Sequence, residues 1–283
     1  MSNLIAISGK QGSGKDTVAQ MIMYLYYIEK VPNNKERVSY KDFLKHPNQS
    51  WNGLEIKKFA DKVKDIACLL IGCTREQLED REFKEKPLGE EWHIWFTQNK
   101  REGKKLFVSE EDRNYHLDWL KDVNFGLYED TSIGDYRTTP RLLMQLIGTE
   151  ASREILHPNI WINALFADYR CGGWDNGYKW MDCACEKGEC DYSNSYTPKW
   201  IITDTRFPNE AKAVKDHGGI LIRINRTSIY SVTSDFFHGV MGVEKHPSET
   251  ALDNYKDWDY VIDNDGSLED LFEKVKEIYE SIN

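Results

Sequence analysis

The stretch LIAISGKQGSGKDTVAQ, residues 4–20, gives the strongest indication of the fold of this chain. It opens with four apolar residues, which predict a short buried strand. The pattern Gly9-x-x-x-x-Gly14-Lys15 follows at once, and the apolar-rich run from Thr17 to Ile28 is long enough only for a helix. A glycine-rich loop between a buried strand and a helix is the context in which this pattern binds nucleotide phosphates.

The residue types of this loop suit phosphate binding. Glycines let the backbone curl until successive N–H groups point inward at phosphate oxygens. The helix N-terminus carries roughly half a positive charge, and Lys15 adds a full charge that can bridge the terminal phosphates. The alternative is a glycine-rich turn that binds nothing. We predict a nucleotide-binding site formed by Gly9, Gly12, Ser13, Gly14, Lys15, Asp16 and Thr17.

The position after the lysine departs from the common form of the pattern. Asp16 stands where a serine or threonine usually ligates magnesium, and Thr17 comes one place late. A carboxylate can hold Mg²⁺ directly or through water. The sequence therefore predicts Asp16 and Thr17 as metal ligands but does not choose between them.

Composition limits the class of protein. The 283 residues are 40% apolar and 30% charged, with a formal charge of −10. Such a charge argues against nonspecific nucleic-acid binding, whereas a local cluster of Lys and Arg could still bind a phosphorylated substrate. Because no run of about 18 apolar residues exists and the N-terminus reads as a strand, we expect a cytoplasmic protein without a membrane segment. Six cysteines in a chain of this length do not indicate a disulfide scaffold.

Further short apolar runs alternate with helical patterns. Such alternation is typical of parallel βαβ units, so we predict an α/β fold with a P-loop NTPase-type parallel sheet, flanking helices and inserted lobes. The predicted strands beyond the first are Ile56–Ala60, Trp200–Thr203, Ile220–Ile224 and Tyr260–Ile262. The predicted helices beyond the first are 63–71, a solvated helix over 75–86, a pair from Thr139 to His157, then 159–169, 208–217 and 268–282.

Two of these helices carry clear end signals. Thr139 is a good N-cap with Pro140 in the first helical position, Gly148 is expected to end that helix, and Thr149 to start another. Ser267 with Asp270 resembles a capping box at the start of the last helix.

The sequence predicts a single domain over 1–283, with insertions at about 88–136 and 171–198. The first insertion mixes aromatic and charged residues without a clear period. The second is rich in Gly, Asn and Tyr and carries four cysteines, whose spacing does not match the paired C-x-x-C knuckles of structural zinc sites. A zinc site and a flexible lobe with reduced thiols both remain open for Cys171, Cys183, Cys185 and Cys190.

An acidic residue follows the second convincing strand. Asp204 stands at the Walker-B-like position, where it could orient magnesium or a substrate group; the alternative is that it caps the next turn. In parallel sheets, ligands bind at the carboxyl ends of the strands. We therefore expect Gly9, Asp204 and the residues after Ala60 to share one edge of the sheet.

Five stretches of this chain resemble the bacteriophage deoxynucleoside monophosphate kinases, which are P-loop enzymes of the nucleoside monophosphate kinase group. In that family an aspartate follows the P-loop lysine, as Asp16 does here. The resemblance runs from end to end and rests on GKQGSGKDT (9–17), KKFADKVKDIA (57–67), TPRLLMQLIGTEASREILHPNIWINAL (139–165), TDTRFPNEAKAV (203–214) and HPSETALDNY (246–255) with YVIDNDGSLEDL (260–271). It does not cover the two insertions.

The resemblance implies transfer of the γ-phosphoryl group of ATP, with Mg²⁺, to a deoxynucleoside monophosphate. Lys15 and the loop amides would hold the β- and γ-phosphates, and Arg206 could reach the transferred group or the acceptor phosphate. Phe59 could stack on a base, and Lys64 could contact the acceptor phosphate. Arg141 could supply a second guanidinium fork, and the Gln145 amide could read a base edge.

Three of these residues also have a structural alternative. Arg206 could form an ion pair with Glu210 or Asp204, Phe59 could be plain core, and Arg141 could be a surface helix residue. Catalysis is assigned to Lys15, Arg206 and Asp204, and acceptor binding to Phe59, Lys64, Arg141, Gln145 and Arg206. Arg223, Arg226 and His246 lie around a segment, 225–250, that could close over ATP, and the sequence does not choose among them.

Two other classes of function stay open. A GTPase is disfavoured because no N-K-x-D motif for guanine is present, and a motor ATPase because Asp204 precedes Thr205 instead of a catalytic glutamate. The third reading is a nucleotide-responsive interaction module. The expected partners are small-molecule nucleotides, and neither nucleic acid nor a membrane is expected to bind. A homodimer stays open. If the chain comes from a phage, we expect it in the host cytoplasm.

Overall fold

A computed structural model describes most of the chain, namely residues 2–31, 37–45, 50–51, 53–92, 94–99, 105–108, 131–136, 138–169, 172–175, 178–180, 195–196, 198–226 and 250–283. The chain divides into two compact units, of which the first comprises Met1–Lys62 with Asn159–Asn283 and the second Val63–Pro158. The prediction of one domain with insertions at 88–136 and 171–198 stays a prediction.

The strands, in chain order, are β1 (Leu4–Gly9), β2 (Ser50–Trp51), β3 (Leu54–Lys57), β4 (Ile94–Asn99), β5 (Lys105–Val108), β6 (Thr131–Tyr136), β7 (Gly172–Asp175), β8 (Tyr178–Trp180), β9 (Ser195–Tyr196), β10 (Lys199–Ile202), β11 (Ile220–Asn225) and β12 (Tyr260–Asp263). The α-helices are Lys15–Lys30, Tyr40–Phe43, Asp61–Ile71, Arg75–Glu79, Arg81–Glu85, Pro140–Gln145, Ile160–Phe166, Pro208–Asp216 and Leu268–Ser281. A 3₁₀ turn covers Glu90–Trp92, and a π-helix covers Leu146–Leu156.

The first unit is built on a six-stranded sheet of order β12-β11-β1-β10-β3-β2. Its first five strands in that order are parallel, and only the short β2 runs antiparallel at the edge. β1 lies between β10 and β11, with Ile5 facing Ile201 and Ile220 in register. The predicted α/β fold with a parallel sheet is therefore confirmed, although β3 covers 54–57 instead of 56–60.

The two faces of β1 enter two separate cores. Ile5 and Ile7 pack into a core with the apolar face of the Lys15–Lys30 helix and with the C-terminal helix. Leu4 and Ala6 pack on the other face against the helices 160–166 and 208–216. Alternate residues of a strand point to opposite faces, so a strand buried on both sides reads as one apolar run. This double burial fixes the position of the loop that follows Ile7 and Ser8.

The helical prediction around Thr139 is right at its start and wrong in its middle. The Thr139 hydroxyl accepts a hydrogen bond from the Leu142 N–H, at 3.2 Å, and Pro140 opens the helix. Gly148 does not end it, because the chain continues as the π-helix 146–156 and stops before His157-Pro158. A glycine costs a helix about 1 kcal/mol relative to alanine but does not break the hydrogen-bond ladder, so it need not be an end.

The second unit also differs from the prediction of one solvated helix over 75–86. The structure has two short helices here, Arg75–Glu79 and Arg81–Glu85. Asp80 separates them because its backbone is extended and its carboxylate accepts the Phe83 N–H, so that it caps the second helix. The same unit contains an antiparallel sheet of order β5-β4-β6 within the predicted first insertion.

Three short antiparallel strands, in the order β8-β7-β9, lie in the first unit within the predicted 171–198 insertion. The four cysteines on which the zinc alternative rests lie outside the described residues.

Among the described helices, none combines the length and apolarity needed to cross a membrane.

Candidate active site

The loop after β1 has the form that phosphate binding requires. The Lys15 ammonium donates hydrogen bonds to the carbonyl oxygens of Gly9 and Lys10, at 2.8 and 2.7 Å. These bonds hold a cation across the mouth of the loop. The helix begins at Lys15, so the positive end of its dipole points into the same space.

Gly12, with φ of 75°, is one of three loop glycines that cannot be replaced without strain, and Gly14 and Gly9 also meet close neighbours. Gly14 has φ of 99°, a conformation that side-chain-bearing residues rarely adopt, and a Cβ there would lie 2.7 Å from the amide nitrogen of Asn264. Gly9 has an ordinary φ, but a Cβ would lie 2.6 Å from the Ile224 carbonyl oxygen. The left-handed backbone and the Asn264 side chain therefore require glycine at position 14, and the Ile224 backbone requires it at position 9.

Oxygen-bearing side chains occupy the first turn of the P-loop helix and the loop beneath it. Asp16 is exposed, and its Oδ1 lies 3.0 Å from the Lys58 ammonium. Thr17 is half-buried one place further on. The Ser13 hydroxyl is buried and, within the described part of the chain, has no hydrogen-bond partner.

Asp204 is buried where β10 ends. Its two carboxylate oxygens accept hydrogen bonds from the backbone N–H groups of Phe59 and Ala60, at 2.8 and 2.9 Å. Burial raises the pKa of this carboxyl above its ordinary value, and the two N–H donors and the charge of Arg206 oppose that rise. The geometry agrees with the alternative in which Asp204 caps a turn, and a role in orienting magnesium stays a prediction. The expectation that Gly9, Asp204 and the residues after Ala60 share one sheet edge is confirmed.

The turn that carries Arg206 is fixed by a buried glutamate. Glu210 is 1% exposed, and its carboxylate accepts the backbone N–H groups of Arg206, at 2.7 Å, and Phe207, at 3.1 Å. The glutamate thus holds the backbone of the turn, whereas the Arg206 side chain is exposed and lines a cleft beside the P-loop.

That cleft contains residues that the sequence interpretation did not assign to the site. It is lined by the start of the P-loop, by Thr205 and Arg206 after β10, by Arg223 of β11, and by Leu252 and Asp253. The hydroxyl of Thr205 is buried and, in the part of the chain that the structure describes, makes no hydrogen bond. The cations Lys10, Arg206 and Arg223 outnumber the one carboxylate, that of Asp253, so the cleft has a net positive charge, which suits a phosphate.

Arg223 is the most constrained of these cations. Its guanidinium donates to the Ser8 hydroxyl at 3.1 Å, lies 3.9 Å from an Asp253 oxygen and sits 5.5 Å from the centre of the Trp258 ring. Burial lowers the pKa of this guanidinium, and the Asp253 charge opposes the shift. Asp253 also forms an ion pair with Lys10 of the P-loop. An arginine within an apolar strand was the available signal in the sequence, and only the register of β11 beside β1 places it at Ser8.

The burial of the Phe59 ring favours its core alternative over stacking on a base. The ring is 3% exposed and packs in the core that contains Leu165, with its centre 6.4 Å from that of Phe166. At the carboxyl edge of the sheet, the backbone N–H of Phe59 donates a hydrogen bond to Asp204. Stacking on a base stays a prediction for this residue.

Three further residues predicted to bind the acceptor, Lys64, Arg141 and Gln145, belong to the second unit. The Lys64 ammonium forms an ion pair with Glu79, and the Arg141 Nε donates to Glu85. Gln145 is half-buried at the end of the helix that starts at Pro140. Their assignment to acceptor binding stays a prediction.

The segment expected to close over ATP is described only at its ends. Arg223 lies in the cleft, and a guanidinium nitrogen of Arg226 lies 3.5 Å from the Gly12 carbonyl oxygen of the P-loop. His246 and the rest of 227–249 lie outside the described residues.

Comparison with known proteins connects this geometry to a family. A family model described as deoxynucleotide monophosphate kinase matches residues 3–275. A deoxynucleoside-5'-monophosphate kinase of Escherichia phage T5 is 24% identical over 274 residues, which is 89% of this chain and 86% of that protein. A deoxynucleotide monophosphate kinase of Enterobacteria phage T4 is 26% identical over 96% of this chain and 97% of that protein. A putative deoxynucleotide monophosphate kinase of Acanthamoeba polyphaga mimivirus is 27% identical over 62% of this chain and 76% of its own length.

Proposed function

Because the chain belongs to the deoxynucleotide monophosphate kinase family, we propose that it transfers the γ-phosphoryl group of ATP to a deoxynucleoside monophosphate, giving the diphosphate and ADP. It is a phosphotransferase that binds nucleotides. The observation that carries the proposal is the Lys15 ammonium held across a glycine loop beside a cationic cleft, at the carboxyl ends of parallel strands.

Phosphoryl transfer requires little covalent chemistry from the protein. The transferred group carries spreading negative charge between an attacking and a leaving oxygen, so catalysis depends on positioning and on cations. In the proposed reaction, the P-loop amides and Lys15 hold the β- and γ-phosphates. Arg206 contacts the transferred group or the acceptor phosphate from the cleft, where its planar fork can reach two oxygens at once.

The oxygen donors beside the loop fit Mg²⁺ that arrives bound to ATP. Among the described residues, no group of three or more His, Cys, Asp or Glu side chains could hold a metal by itself. Mg²⁺ characteristically keeps several waters and takes one or two carboxylates together with substrate phosphates, so a complete protein cage is not required. Asp16 and Thr17 would supply its protein oxygens, and the ion would neutralise charge on the phosphates.

The test is an acceptor panel followed by detection of ADP. The protein is incubated with Mg·ATP alone and with each deoxynucleoside monophosphate in turn, and the matching ribonucleotides serve as a control for the sugar. The proposal expects ADP and a deoxynucleoside diphosphate in equal amounts, and only when an acceptor is present. ADP released equally without acceptor would indicate a nucleotide hydrolase, and ATP binding without any turnover would indicate an interaction module.

A further inference from the structure

Asn264, the residue that follows β12, reaches the P-loop from outside the motif. Its side-chain amide donates a hydrogen bond to the Ser13 carbonyl oxygen at 2.8 Å, and the residue is only 8% exposed. We propose that Asn264 is a positioning residue that aims the Gly14 N–H at the phosphates of the bound nucleotide. This inference rests on the proposed function, because it needs a nucleotide in the loop.

Peptide geometry links the two groups. The Ser13 carbonyl and the Gly14 N–H belong to one planar trans peptide unit, in which the C=O and N–H bonds point in opposite directions. A hydrogen bond that holds the carbonyl outward, toward Asn264, therefore holds the N–H on the other side. Within the described residues no group accepts the Gly14 N–H, so this donor is available to a phosphate oxygen.

Asn264 is itself fixed in place from the sheet. Its backbone N–H donates to the Asn225 carbonyl oxygen at 2.8 Å, which extends the pairing of β11 with β12 by one more bond. The amide nitrogen then lies directly over Gly14, at the position where a Cβ of residue 14 would be only 2.7 Å away. The side chain and the glycine thus form one fitted contact, and the sheet edge sets the orientation of the loop.

The rest of the loop relies on other contacts. The Ser13 N–H donates back to the Lys10 carbonyl at 3.2 Å, and so closes the turn internally. Arg226 approaches the Gly12 carbonyl only at 3.5 Å, at the limit of a hydrogen bond. Asn264 is therefore the residue whose bond governs the 13–14 peptide unit. Removing it leaves a buried carbonyl unpaired and a peptide unit free to rotate.

The test measures nucleotide binding directly, by calorimetric titration of the full chain with ADP and with Mg·ATP in the absence of acceptor. Asn264→Ala removes the donor, and Asn264→Asp keeps the shape but places an acceptor against the Ser13 carbonyl. Asn225→Ala is the matched control, because its amide lies at the same sheet edge but donates to Asp263 and not to the P-loop. Thermal unfolding of each variant is recorded alongside.

We expect Asn264→Ala to raise the dissociation constants for ADP and ATP about tenfold and Asn264→Asp to raise them more, while Asn225→Ala stays within twofold of wild type. The KM for the deoxynucleoside monophosphate should change less than twofold in every variant. If one Asn264 variant fails to fold, the other supplies the measurement. Folded Asn264 variants that bind ADP as tightly as wild type, or that raise the acceptor KM equally, would overturn the inference. A wild-type protein that binds no nucleotide would instead overturn the proposed function.

Discussion

Lys15 is expected to bind the phosphates of the nucleotide and not to stabilise the core. Its ammonium donates to two loop carbonyls, and Lys15 belongs to neither hydrophobic core of the described residues, so Lys15→Ala should leave the unfolding temperature nearly unchanged. Loss of a cation from the phosphates should lower kcat/KM at least about 100-fold, since removal of one preorganised charge or donor costs about 3 kcal/mol of transition-state stabilisation. Steady-state kinetics and a melting curve measure the two effects.

Lys276→Ala is the matched control, because this exposed lysine lies in the C-terminal helix and pairs only loosely with Glu273. It should retain wild-type turnover. A Lys15→Ala protein with near wild-type kcat/KM would rule out the P-loop as the site of phosphate binding.

Arg206 tests whether the cleft participates in the transition state. Arg206→Lys keeps the positive charge but loses the planar fork, and it leaves the Glu210 bonds intact because these go to the backbone. We expect kcat and kcat/KM to fall together, by about tenfold or more, since the lost contact is made mainly in the transition state. Initial rates over a grid of ATP and acceptor concentrations separate kcat from KM.

Other outcomes for Arg206 are equally informative. A raised acceptor KM with unchanged kcat would assign Arg206 to anchoring the acceptor phosphate. Wild-type kinetics with a lowered melting temperature would assign it a structural role and remove it from the site. Arg81→Lys, at an exposed position of the second unit, controls for the general effect of exchanging an arginine.

Asp16 decides where the protein contributes to magnesium binding. If its carboxylate is a ligand, Asp16→Asn should raise the Mg²⁺ concentration for half-maximal activity several-fold, and much more than it raises the KM for ATP. Titration of activity with Mg²⁺ at saturating ATP gives this value. Equal and small changes in the Mg²⁺, ATP and acceptor dependences would leave Asp16 as a helix N-terminal charge worth about 0.3–1 kcal/mol.

At the scale of an element, the C-terminal helix offers a pH-dependent test. Ser267 and Asp270 form a capping box, and the hydrogen bond from the Ser267 backbone N–H lowers the pKa of the Asp270 carboxyl below its ordinary value of 3.8. A lowered pKa in the folded state means that the charged form adds stability above about pH 3.8 and loses it as the pH falls through the folded-state pKa.

Asp270→Asn removes this contribution. In urea unfolding at several pH values, wild type should be more stable than the variant at pH 7, and the difference should shrink as the pH falls below 3.8. A difference that stays constant with pH would show that the charge of Asp270 is not involved. Ser267→Ala should cost about 1 kcal/mol of stability, because it removes the cap itself.

At the scale of the whole molecule, nucleotide binding should appear as stability. A ligand that binds only the folded state stabilises it by mass action, by about 2.7 kcal/mol at 100 times its dissociation constant. ADP should therefore raise the melting temperature of wild type progressively with its concentration. Lys15→Ala should show a much smaller rise at the same concentrations. An identical rise in both proteins would place nucleotide binding outside the P-loop.

Features that depend on interactions between near neighbours in the chain could be predicted from the sequence. The β1 run and the motif from Gly9 to Lys15 indicate the strand, loop and helix, because burial on both faces and phosphate binding each restrict residue type over a few neighbours. The Thr139 cap and the Ser267 box are confirmed for the same reason. The order of motifs along the chain was enough to indicate the kinase family.

Contacts between residues that are distant in sequence became known only from the folded structure. Phe59 is a buried core residue, and the two oxygens of Asp204 hold the 59–60 backbone, since β3 and β10 are neighbours. Arg223 meets Ser8, and Asn264 meets Ser13, across gaps of more than 200 residues. No local pattern encodes such pairs, because they follow from strand order and register, which a short stretch of sequence does not contain.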